Sequence, residues 1–149
     1  MSKPRFLSPE KFHAELTGRT ERTFLLRRHQ YDCRWDDGFA LQDRDGNAWR
    51  PDRPQYHSDG ASVPYPLAWF VPAFDSFRYR LSAMGIHDPA CRFGRMAKWN
   101  PHTMLWEVVP VPRSLADSLL QQGIQAEGGW AATRFCYWLG VRIGSGFCD

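Results

Sequence analysis

The sequence predicts an α+β fold: a small antiparallel β meander in the N-terminal half, packed against a helical C-terminal half. Three observations carry this expectation. Turn-forming residues punctuate residues 1–60 at short intervals. Beyond about residue 76 the apolar residues recur with helical period. Aromatic residues make up 15% of the 149, enough large side chains to fill one core. The length suits a single domain over 1–149, with 1–60 mainly strand and turn, 61–143 mainly helical, and 144–149 a tail.

The elements follow in order. Ser8-Pro9-Glu10-Lys11 has the form of a helix start with Pro at the first helical position, so a short helix is expected through Leu16, stopped by Gly18. Thr23-Phe24-Leu25-Leu26 opens a strand running towards Cys33. Asp36-Asp37-Gly38 is a turn, Phe39–Gln42 a short strand, and Asp43-Arg44-Asp45-Gly46-Asn47 a second turn of residues that tolerate positive φ. Ala48-Trp49-Arg50 resumes the extended chain. Leu67–Val71 is expected to make one or two helical turns before Pro72, and 76–86 a buried helix carrying Phe77, Leu81 and Met84. Leu115, Ala116, Leu119, Leu120 and Ile124 lie on one arc of a helix over 113–125. A last aromatic helix spans about 130–141.

Composition excludes several classes. No apolar run reaches the roughly 18–20 residues of a membrane span, and the N-terminus lacks the apolar stretch of a secretory signal. A cytoplasmic location is therefore expected, without membrane association. Nineteen basic and sixteen acidic residues are spread along the chain with no basic tail or stripe, so no nucleic-acid partner is expected. Cys33, Cys91, Cys136 and Cys148 show no C-x-x-C spacing, which argues against a zinc knuckle and a disulfide scaffold.

Three places set polar residues into apolar surroundings. His57-Ser58-Asp59-Gly60-Ala61-Ser62-Val63-Pro64 reads as a structured turn whose Asp59 and Ser62 can bind local amides or a ligand. Ile86-His87-Asp88 ends an apolar helix. There His87 is either a satisfied core histidine or a metal ligand or base, and Asp88 either caps a helix restarting at Pro89 or joins that site. Asp117 falls at the margin of the apolar arc of 113–125, facing water or a cleft. A Cys91–His87 pair at i, i+4 would share a helix face, but Pro89 argues against a continuous helix there.

Asp59-Gly60-Ala61-Ser62-Val63-Pro64, then His87-Asp88, then Ala116-Asp117, in that order, resembles the pattern of a phage and bacterial family catalogued as domain of unknown function 1353. The aromatic segment Cys136-Tyr137-Trp138-Leu139-Gly140-Val141-Arg142 is similar to that family's ending, and the likeness covers about residues 20–143. Departures are Ser58 where Thr is usual, Pro89-Ala90-Cys91-Arg92 in place of aromatic residues, and a longer segment between Arg95 and Pro110. The resemblance implies a phage or prophage setting.

Two functions are expected from these residues. One is a phage protein without catalysis, a virion or tail accessory or host-interaction protein, whose partner is a virion or host protein and whose Trp99 and Trp106 serve an interface. The other is a hydrolase with catalytic His87, Asp88, Asp59 and Asp117, and with Ser62 binding substrate. Such a pocket would hold a divalent metal such as zinc on His87, Asp88 and Asp117, without a cysteine ligand, or use His87 as a general base. Association with phage suggests cell-wall peptide or glycan as substrate.

Overall fold

The computed structural model describes residues 2–23, 26–58 and 78–145. The order is β1 (Arg5–Leu7), a 3-10 turn (Pro9–Lys11), β2 (Phe12–Thr23), β3 (Leu26–Trp35), β4 (Ala40–Gln42), β5 (Ala48–Arg50) and β6 (Gln55–Ser58). Then come α1 (Arg80–Ser82), a π-helical segment (Ala83–His87), α2 (Asp88–Phe93), β7 (Arg95–Asn100), β8 (Leu105–Pro110), α3 (Arg113–Ala126) and α4 (Ala131–Ser145). The fold is α+β. Among the described residues the strands form two antiparallel sheets, β1-β4-β5-β7-β8 and β2-β3-β6.

Two elements differ from the sequence expectation. The helix foreseen from Ser8 to Leu16 is a single 3-10 turn, and the chain is strand from Phe12. Phe12 and Ala14 turn inward while His13 and Glu15 sit on the groove side, which is the two-residue period of a strand. The second difference is the long segment after Arg95. It is a hairpin in register from Arg95↔Pro110 to Asn100↔Leu105, and it extends the first sheet through Trp49↔Lys98. The C-terminal half is therefore not wholly helical. Pro110 is accommodated because it ends the outermost strand, where a ladder donor is not required.

The turn at Asp43 is built as its composition suggests. Asp43 is buried and its carboxylate accepts hydrogen bonds from the amides of Asp45 and Asn47, from Asn47 Nδ2 and from Trp49 Nε1. One carboxylate thus pins the turn to β5. Arg50 then lies between the rings of Trp35 and Trp106, 4.5 and 4.1 Å from their centroids, joining the two sheets.

The core gathers Phe12, Phe39, Leu41, Trp49, Met84, Ile86, Met96 and Leu119. Gly85 lies in the π-helical segment, and a Cβ there would come 3.1 Å from Phe39 Cζ. The missing side chain lets the aromatic rings lie directly on this backbone. The segments α1, π and α2 run on without a break. The helix 76–86 of the sequence reading thus appears from Arg80 and continues to Phe93. The expected turns at 67–72, with Phe77, fall outside the described residues.

Candidate functional site

Pro89 is the reason the helix widens. The amide of Asp88 bonds to Ala83 O, five residues back rather than four. In that register the next donor would serve Met84 O, and Pro89 has none. Tyr56 supplies it instead, its buried hydroxyl donating to Met84 O at 2.6 Å. Widening also relieves the clash that a proline ring makes with the preceding turn. The helix continues, and His87 and Cys91 fall one turn apart on one face.

The third residue arrives from α3. At Gly123 a Cβ would stand 2.7 Å from Ser82 Oγ, so this glycine allows α3 to lie close against α1. Glu127 fastens the same junction, accepting hydrogen bonds from the Ser82 amide and hydroxyl. With Gly123 at Ser82, the two helices run antiparallel, and Asp117 comes level with His87. Asp117 Oδ1 accepts from His87 Nε2 at 3.0 Å. Cys91 Sγ lies 3.4 Å from the same nitrogen.

Burial divides the cluster. Asp117 is 1% exposed and His87 8%, whereas Cys91 is open to solvent. The expectation of a margin position for Asp117 is corrected: the carboxylate is enclosed between α3 and the π-helical segment. Burial by itself would push His87 down. Hydrogen bonds to Asp117 and Cys91, with the charges of both, outweigh it and hold His87 up at about 9. The position is one that favours a positive charge between two potential anions.

Of the residues singled out in sequence, His87 and Asp117 are brought together. Asp88 is not in the cluster; its charge acts on Cys33 and Tyr56 instead, because neighbouring helical residues point about 100° apart. Asp59 and Ser62 lie outside the described residues. Cys91 is the residue that sequence reasoning set aside. Its i+4 spacing from His87 was the available signal, and Pro89 concealed it. Among the described residues, donor atoms of His87, Cys91 and Asp117 all lie within 4.8 Å of one another.

α2 also borders a groove of about 820 Å³ over the three-stranded sheet. Arg92 and Phe93 line it with Asp32, Arg53, Tyr56 and His57. His57 Nδ1 is 2.5 Å from Asp32 Oδ1, a pair set by their opposite positions on β6 and β3. Arg92 donates to His57 O at 2.6 Å.

The chain matches no protein-family model, no curated protein and no solved structure. Fold and site define it as an α+β domain with a His–Asp pair buried between helices and a solvent-facing thiol beside it. Among the described residues no helix is long and apolar enough to cross a membrane.

Proposed function

We propose that the protein is a hydrolase whose reacting centre is the cluster of His87, Asp117 and Cys91, acting in the phage or prophage setting that the sequence resemblance implies. The observation that supports this reading is the junction itself. A buried carboxylate fixes a histidine whose ring reaches an exposed thiol, so polar chemistry held rigidly inside the core opens to solvent at one point. Hydrolysis of a peptide or glycan bond needs a held water or nucleophile and a group that handles its proton. Asp117 orients His87 and His87 is the proton-handling group, while the groove that starts at Arg92 offers guanidinium groups to a substrate's polar backbone.

The test is hydrolysis of cell-wall peptides and glycans by the wild type and by His87→Gln and Asp117→Asn. Loss of turnover in folded variants is expected. A wild type that cleaves none of these substrates would overturn the reading.

A second reading has its own observation. Met104, Leu105 and Val108 at the β7–β8 hairpin, and Trp130 and Phe135 near α4, are large exposed apolar residues. They suit a protein partner such as a virion or host protein. Trp99 and Trp106 are engaged with each other edge to face and are partly buried, so they are weaker interface candidates than the hairpin tip.

A further inference from the structure

We infer that Cys91 Sγ, His87 Nε2 and an Asp117 carboxylate oxygen form a three-residue site for a thiophilic divalent ion, zinc foremost, with a fourth coordination position left open. This rests on the hydrolase reading and revises the roles within it: His87 and Asp117 become ligands, and the ion at the centre would activate the water. The metal set differs from that expected in sequence, the thiol replacing Asp88.

The argument starts from which ring nitrogen is used. A nucleophilic cysteine triad places its carboxylate on one imidazole nitrogen and its thiol on the other, so the ring can relay a proton. Here carboxylate and thiol converge on the same atom, Nε2, at 3.0 and 3.4 Å. Three donor atoms all within 4.8 Å of one another are a chelating arrangement. Tetrahedral zinc with ordinary bond lengths separates N, O and S ligands by about 3.4–3.6 Å. Rotation of the Asp117 and Cys91 side chains would open the 3.0 Å Nε2–Oδ1 separation and bring the three donors, all within 4.8 Å of one another, to that spacing.

Charge points the same way. Asp117 is buried as a potential anion and Cys91 becomes one on ionising, so a cation between them offsets both. Zinc is held by a thiolate and a neutral imidazole, so any protons on Sγ and Nε2 leave to solvent as it binds. A thiolate selects zinc over calcium or magnesium, which prefer all-oxygen shells. Three protein ligands with one exposed side correspond to a catalytic rather than a closed structural site, and the open position would hold water.

The experiment uses the full chain stripped with chelator and titrated with cobalt(II), then zinc(II). Expected are one equivalent bound, a near-ultraviolet thiolate-to-cobalt band with tetrahedral visible bands, and zinc protection of Cys91 from alkylation. Cys91→Ser, whose side chain lies at the surface and should fold normally, is expected to lose the near-ultraviolet band and at least about tenfold in zinc affinity. A Cys91→Ser protein that keeps the band, or wild type whose labelling is unchanged by zinc, overturns the inference. Metal binding without hydrolysis would uphold this site and refute the hydrolase reading. Hydrolysis indifferent to chelator would overturn the metal and leave that reading standing.

Discussion

Two of the His–Asp pairs among the described residues use the same chemistry in opposite settings. His57 and Asp32 meet across β6 and β3 with side chains 75% and 58% exposed. His87 and Asp117 meet between helices with side chains 10% and 1% exposed. The first pair is a local consequence of strand register and keeps its solvent. The second is made only when α3 docks, and its charge is then set by the protein. Exposed ion pairs contribute about 0–1 kcal/mol, because water competes and long side chains lose freedom. Removing one member of a buried pair strands the other.

The sharpest comparison is therefore Asp117→Ala against Asp32→Ala. The former should destabilise by about 3–5 kcal/mol and the latter by less than about 1 kcal/mol, in chemical denaturation. His87→Ala is expected to cost more than roughly 1 kcal/mol, since Asp117 loses its donor. Equal losses at Asp117 and Asp32 would show that the inner pair is as well solvated as the outer one.

The thiols give a second comparison. Cys33 is buried, and burial followed by the charges of Asp88 and Asp32 pushes it up to about 12. Cys91 is exposed beside His87. Iodoacetamide should label Cys91 at least about a hundredfold faster than Cys33 in the folded protein, with parity on unfolding. Peptide mapping by mass reads this directly.

A smaller effect tests how the inner pair is assembled. Gly123→Ala puts a methyl group on Ser82 and should cost about 1–3 kcal/mol by forcing α3 away. Because that movement also parts Asp117 from His87, Gly123→Ala and Asp117→Ala should combine less than additively in a double-mutant cycle. Full additivity would separate the glycine contact from the site.

The smallest effect concerns Glu127, another carboxylate in the same junction. Burial raises it above its ordinary 4.5, against the lowering influence of the Ser82 hydrogen bonds and Arg80. A carboxyl raised on folding takes up a proton, so its contribution is largest below pH 4.5 and falls away as pH climbs through the folded value. Glu127→Gln keeps an acceptor for Ser82 without the charge. Its melting temperature should match or slightly exceed wild type at pH 7 and fall relative to it at pH 4.

How much of this was legible in the sequence can be traced residue by residue. The helix of α3, the turns at Asp36–Gly38 and Asp43–Asn47 and the short strands between them follow from local period and turn chemistry, which operate over a few residues. His87 and Asp117 stood out because each interrupts an apolar pattern. Their meeting did not, since it depends on a contact across thirty positions that Gly123 makes close enough. Phe12–Leu16 shows the same division: helix signals at Ser8 and Pro9 are local, but pairing with β3 supplied more hydrogen bonds than one short helix could. Cys91 shows it most clearly. A proline normally ends a helix, and only the π-helical register with the Tyr56 hydroxyl on Met84 O removes that cost. Local patterns determined which segments are helix, strand or turn; tertiary packing decided which buried charges share a site, because desolvation and long-range contact exist only once the chain is folded.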